Sequence, residues 1–214
     1  MVDLVTRQRI GLADLLSGTA PGAPTLCEGW DARDLAAHLV VRDRRAGARA
    51  GSALPQAQAL AARAVRARAA MRDSRGYPEL VELFRQGPPR LSPLRIGLLG
   101  TLADTFELAV HGEDVRRAQP AFQPVPAPAE LEWLLWRQLR LAARVLVRRS
   151  PVGIILRWPQ EGSFEARGAP STVTVSGAPL ELTMFAFGRQ GAASAELDGP
   201  GEAVERLRAA PLGV

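Results

Sequence analysis

Three side chains in this sequence have the types and spacing to hold one metal ion. His38 lies in the segment Gly29–Asp43, and Glu107 and His111 lie in the segment Asp104–Arg117. Positions four apart in a helix nearly stack on one face, so Glu107 and His111 form one jaw and His38, from a different helix, the other. Two imidazole nitrogens and one carboxylate oxygen suit zinc and leave a coordination position open for chemistry. His38 and His111 are the only histidines in the chain, so any imidazole ligand comes from this pair. The same spacing also suits an ordinary helical Glu–His pair, with His38 a hydrogen-bonded core histidine. Against that, both histidines lie on or beside apolar stripes, where an unpartnered imidazole is costly to bury. Carboxylates stand nearby: Asp34 and Asp43 near His38, Asp104 and Asp114 near His111. Asp34 and Asp114 are candidates to orient the ligand rings, or alternatively serve as a helix cap and a surface ion pair.

The elements that must carry these residues follow from periodicity. Residues 3–17 read as an amphipathic helix with Leu4, Ile10, Leu12, Leu15 and Leu16 inward. A Gly/Pro-rich loop follows to Trp30. Asp31, with Asp34 three residues on, is a capping-box-like start for a helix running through His38 to about Ala50. Helices are expected over 55–73, 78–86 and 93–117, the last with Ile96, Leu99, Leu102, Phe106 and Val110 at helical spacing. A proline-rich link leads to a helix over 129–149, with Trp133, Leu134, Trp136 and Leu141 as its apolar side. After Pro151 the pattern changes to strands over 152–158, 163–167, 171–177 and 193–197, with short helices over 179–187 and 202–209. The expected fold is mainly α: a metal-binding helical bundle over residues 1–150 and a small α+β domain over 151–214.

Composition narrows the function classes. Apolar residues make up 47% of the 214-residue chain, and only six Phe, four Trp and one Tyr are aromatic, so the core is built from Leu, Val and Ala. The net charge of +5 comes from 27 basic residues, all of them arginine. These are scattered and interleaved with acids, and the densest run, Arg63 to Arg72, has no aromatic residue to stack a base. That argues against nucleic-acid binding. The single cysteine, Cys27, excludes an internal disulfide and fits a reducing compartment. It reads as a small thiol packed in a loop rather than a fourth ligand or a nucleophile. No apolar signal region opens the chain, and the most apolar stretch, 96–103, is too short to span a membrane. A cytoplasmic protein with no membrane or nucleic-acid partner is expected.

The segment LCEGWDARDLAAHLVVRD (Leu26–Asp43), followed by ELAVHGEDVRRAQP (Glu107–Pro120), resembles the DinB-like metal-binding superfamily. The resemblance is to the branch containing mycothiol-dependent maleylpyruvate isomerase, and more narrowly to a family of actinobacterial metal-binding proteins. SGAPLELTMFAFGR (Ser176–Arg189) is similar to that branch's sterol-carrier-like C-terminal domain. The resemblance implies a four-helix bundle holding zinc or another divalent ion through His38, Glu107 and His111. It further implies mycothiol as a thiol cosubstrate and an electrophilic small molecule as substrate, giving transfer or isomerisation. An arginine of the C-terminal domain assists in the related isomerase, and Arg189 is the matching candidate here. Relatives often carry a second histidine where this chain has Gly112; a residue adjacent to His111 points about 100° away, which argues against a shared ligand role. The alternative function is a metal-stabilised binding or regulatory module without turnover.

Overall fold

The computed structural model describes residues 3–44, 67–88 and 98–213, with side chains of the third segment described from Asp104 onward. By internal contacts the chain divides into two units, Met1–Gln123 and Pro124–Val214. Together they give a mainly α chain whose C-terminal part is α+β, as the sequence pattern predicts.

In the first unit, α1 spans Leu4–Ser17 and α2 spans Ala32–Arg44. Residues 67–74 are helical (α3), α4 spans Tyr77–Arg85 and α5 spans Leu98–Arg117. Asp3 caps α1, its carboxylate accepting from Thr6 N at 2.9 Å. The expected capping box opens α2: Asp34 N donates to Asp31 Oδ1 at 2.8 Å, and Asp31 N to Asp34 Oδ2 at 3.4 Å. The expected extensions of α2 past 44 and of α5 before 98, and most of the helix expected over 55–73, lie outside the described residues. Leu12 and Leu16 of α1, Leu35 and Leu39 of α2, Leu80 and Phe84 of α4, and Leu108 and Val115 of α5 share one buried cluster. The α1 stripe is corrected at one place: Ile10 is 40% exposed, and Arg9 is buried instead. Arg9 can be buried because its guanidinium grips Asp43 in a two-pronged ion pair and also donates to Phe84 O.

The second unit contains α6 (Ala129–Leu146), β1 (Gly153–Trp158), β2 (Gly162–Arg167), β3 (Thr172–Ser176), α7 (Pro179–Ala186), β4 (Glu196–Asp198) and α8 (Gly201–Arg208). The sheet order is β2-β1-β3-β4, with β1 and β3 parallel and the outer pairs antiparallel. The expected strand over 193–197 appears shifted, as β4. Gly188 takes a positive φ of 86° that ends α7, and a Cβ there would meet Leu212 O at 2.8 Å, so glycine is required twice over.

The boundary between the units by internal contacts falls before α6. The reason is visible in what α6 touches. It packs on α7 and β2, and the buried Glu132 carboxylate accepts from Leu180 N at 2.8 Å, satisfying an orphan donor at the start of α7. Trp136 meets Trp158 and Phe164 with ring centroids 5.9 and 5.1 Å apart. The expected apolar side of α6 is also corrected. Leu131, Leu135, Trp136, Leu139 and Leu146 face inward, while Trp133 and Leu141 are 44% and 74% exposed. Among the described residues, no helix is long and apolar enough to cross a membrane.

Candidate metal centre

The site is built by two helices and one loop of the first unit. His38 stands on the second turn of α2, and Glu107 and His111 stand one turn apart on α5. Leu35 and Leu39 of α2 and Leu108 of α5 belong to the same buried cluster, and His38, Glu107 and His111 meet one another on these two helices. His38 Nε2 lies 2.9 Å from Glu107 Oε1, and His111 Nε2 lies 3.3 Å from the same oxygen. The two imidazole rings sit 5.2 Å apart, nearly perpendicular at 71°. The three donor atoms fall within 4.8 Å of one another. Two ligands each about 2.1 Å from a tetrahedral ion stand about 3.4 Å apart, so the observed separations are close to those of a ligand set.

The neighbours of this triad supply a second test of fit. His111 Nδ1 is 2.9 Å from Oδ2 of the fully buried Asp114, which turns Nε2 toward Glu107. A ligand histidine held by a carboxylate on its far nitrogen is the usual outer support of a metal centre. Arg42, one turn beyond His38, reaches Asp104 Oδ1 at 2.6 Å through Nη2 and Glu107 Oε1 at 3.4 Å through Nε. Its Nη1 lies 3.7 Å from Asp43, which Arg9 already holds. In this connected group the guanidiniums of Arg9 and Arg42 face the carboxylates of Asp43, Asp104 and Glu107. The surplus carboxylate in a largely buried region is costly unless further positive charge meets it. A divalent ion held by neutral histidines supplies positive charge there, and the donor set of two imidazoles and a carboxylate fits such an ion.

Ionisation in the metal-free protein reflects the same surplus. Burial works to raise the Glu107 pKa, but hydrogen bonds with His111 and His38 and the charges of His111 and Arg42 overcome it. Its carboxyl is held well below the usual range. Burial disfavours a charged His111, yet hydrogen bonds with Asp114, Cys27 and Glu107 outweigh it and raise that ring well above 6.5. His38 moves the other way: burial dominates and lowers it, despite its bond to Glu107. One proton on His111 thus takes part of the role a cation would fill.

The remaining sequence candidates are placed as follows. Asp114 supports His111 directly. Asp34 is committed to the α2 cap and to Arg72 Nε at 2.9 Å. Asp43 pairs with Arg9 and Asp104 with Arg42, so neither touches a histidine in the contacts observed. A Cβ at Gly112 would meet no atom within 4 Å, so the space for a larger side chain is retained there. Arg189 belongs to the second unit, where its Nη1 donates to Phe187 O at 2.8 Å. Sequence reasoning overlooked Arg42, although its position four residues after His38 puts it on the ligand face of α2. It also overlooked Trp30, whose ring lies 5.0 Å from that of His38. Cys27, read as a packed thiol, has its Sγ 3.1 Å from Asp114 Oδ2 and 3.8 Å from His111 Nδ1.

Comparison with known proteins bears on the same region. The family described as "Mycothiol maleylpyruvate isomerase N-terminal domain" matches residues 2–141. Two solved structures share the fold across 91% of this chain and 90% of theirs at 17% identity. They are the mycothiol-dependent maleylpyruvate isomerase, with a TM-score of 0.50, and its histidine-to-alanine mutant, with 0.51. No curated protein matches the sequence.

Proposed function

The chain belongs to the mycothiol maleylpyruvate isomerase N-terminal domain family, and we propose that it is a zinc protein using a mycothiol-type thiol in transfer or isomerisation. The observation that carries this reading is the convergence of His38 Nε2, Glu107 Oε1 and His111 Nε2 within 4.8 Å of one another. A divalent ion with an open coordination position stabilises thiolate over thiol and so supplies a nucleophile near pH 7.

The chain's own residues provide the setting. His38, Glu107 and His111 are the ligands on a four-helix scaffold. Asp114 fixes the His111 ring with its proton on Nδ1, and Arg42 offsets the charge of Glu107. The family and the two matching structures of a mycothiol-dependent isomerase support mycothiol as the thiol. Thiolate addition to an electrophilic small molecule gives transfer if the adduct persists and isomerisation if the thiolate leaves again. Arg189 is the proposed thiol-binding arginine of the C-terminal unit. Unchanged thiol affinity in Arg189→Ala would remove that assignment.

The test is elemental analysis of protein purified without a histidine tag, alongside His38→Ala and Glu107→Ala. About one ion per chain, lost in both variants, is expected, followed by mycothiol binding in calorimetry. A wild-type protein that takes up no metal when zinc is supplied would overturn the reading. Metal uptake without mycothiol binding would leave a metal-stabilised module without thiol chemistry.

A further inference from the structure

The His111 ring has a second face. Its Nε2 points to Glu107 and His38, while Nδ1 points the opposite way, into a group formed with Cys27 and Asp114. Their donor atoms again all lie within 4.8 Å of one another. Cys27 Sγ is 3.1 Å from Asp114 Oδ2, Asp114 Oδ2 is 2.9 Å from His111 Nδ1, and Cys27 Sγ is 3.8 Å from His111 Nδ1. Around a tetrahedral ion, with metal–sulfur near 2.3 Å and metal–nitrogen or metal–oxygen near 2.1 Å, these edges would measure about 3.6, 3.4 and 3.6 Å. Each observed edge is within about half an ångström of that set.

The backbone fixes Cys27 in this position. Leu26 N donates to Asp114 O at 3.0 Å, tying the loop directly to α5. Thr25 Oγ1 accepts from Cys27 N at 3.2 Å and donates to Trp30 O at 2.9 Å, and Trp30 N closes the turn on Cys27 O at 3.0 Å. Pro24 and Asp31 form a bridge that draws the two ends of the loop together. The thiol is therefore held beside a fully buried carboxylate and an imidazole nitrogen.

We propose that Cys27 Sγ, His111 Nδ1 and Asp114 Oδ2 form a second metal pocket, selective for thiophilic divalent cations of the Cd²⁺ type. The chemistry differs from that of the first pocket in one decisive ligand. A thiolate favours soft cations, whereas the His38/Glu107/His111 set contains no sulfur. On binding, the Cys27 S–H bond breaks, its proton passes to solvent and a sulfur–metal bond forms; nothing is oxidised or reduced. The thiolate and Asp114 together neutralise a divalent charge. His111 Nδ1 must give up its proton to ligate, and the ring is then drawn away from service at Nε2, so the two pockets compete for one imidazole. A soft cation would act as an antagonist of the first site, whatever reaction that site performs.

The test uses metal-free full-length protein titrated with Cd²⁺ and read by the ultraviolet thiolate-to-metal charge-transfer band. Cys27 is the only cysteine, so the band has a single source. The expected result is a band saturating near one Cd²⁺ per chain, lost in Cys27→Ser and weakened in Asp114→Asn. His38→Ala should retain the band, because His38 serves only the first pocket. Cys27→Ser should still take up about one zinc per chain in competition against a chromophoric chelator. Prior loading with one zinc should raise the Cd²⁺ concentration needed for the band. Absence of the band in the wild type, or unchanged Cd²⁺ affinity in both Asp114→Asn and zinc-loaded protein, would overturn the proposal by showing a simple exposed thiol. Failure of the first pocket has a different signature: zinc uptake insensitive to His38→Ala, with the Cd²⁺ band unaffected.

Discussion

Zinc should stabilise this protein against heat, and Glu107→Gln should abolish that stabilisation. The substitution keeps the size and one carbonyl oxygen of the side chain but removes its charge. Among the described residues, Glu107 is the one carboxylate that touches both histidines, at 2.9 and 3.3 Å, and it also borders Arg42 at 3.4 Å. At free zinc 100-fold above the dissociation constant, binding to the folded state alone adds about 2.7 kcal/mol. For the N-terminal unit, Met1–Gln123, that corresponds to a rise in melting temperature on the order of 10 °C. In excess chelator the variant loses charge-assisted hydrogen bonds worth about 1.5–3 kcal/mol. It also relieves the negative surplus among Asp43, Asp104 and Glu107, so the metal-free proteins should melt closer together than the zinc-loaded ones. The assay is differential scanning calorimetry of both proteins with zinc and with chelator. A zinc-induced rise in Glu107→Gln equal to that of the wild type would refute both the ligand assignment and the charge argument.

Zinc binding should release about one proton at neutral pH. His111 is held well above its ordinary value of 6.5 in the metal-free protein and must become neutral to ligate. Affinity should therefore fall as pH drops below the raised His111 value, and calorimetry in buffers of different ionisation enthalpy would detect the proton; its absence would contradict the assignment. Tyr77, the only tyrosine, is pushed up to about 12, chiefly by burial and then by the charge of Asp31. Its folded pKa exceeds its unfolded one, so its stabilising contribution is complete below pH 10 and is lost between about 10 and 12. The phenolate absorbance should report that midpoint without lysine titrating alongside it, and Tyr77→Phe should flatten the stability loss in this window. At neutral pH that variant should cost about 1 kcal/mol, from the bond to Leu16 O at 2.7 Å. Asp43→Asn leaves the Arg9 guanidinium buried without its counter-charge, and urea unfolding should show a loss of about 3–5 kcal/mol. Replacing both partners with apolar residues should cost less. On α6, Leu139→Ala should cost about 2–5 kcal/mol, whereas the exposed Leu141→Ala should stay within about 0.5 kcal/mol. Equal losses at the two positions would contradict the inward face described here.

Much of the site was legible because its signals are local. Glu107 and His111 are four apart on one helix, so helical geometry alone puts them on one face. The Asp31–Asp34 capping box fixes where α2 starts and hence which residues flank His38. Asp114 is three residues from His111 and within reach of its far nitrogen by the same geometry. Where periodicity was diluted by alternatives, it misled. Leu141 and Trp133 are apolar but exposed on α6, because the sheet and α7 cover the face carrying Leu135, Trp136 and Leu139 instead. Ile10 was displaced from the core by an arginine that no hydrophobic pattern would select.

By its own pattern the sequence determined the helical character of the first part, the α+β character of the last, and the identity of the candidate ligands. It could do so because helix phase, caps and strand alternation depend on neighbours within a few residues. Only the tertiary structure decided which distant residues met. It paired Arg9 with Asp43 and Arg42 with Asp104 and Glu107, and it placed α6 on the C-terminal sheet. It also folded the Gly/Pro-rich loop so that Cys27 came beside Asp114 and His111. Those contacts join residues tens of positions apart, and they form because burying leucine faces forces nearby charges to find partners away from water. That compensation is a property of the packed whole and has no periodic trace along the chain.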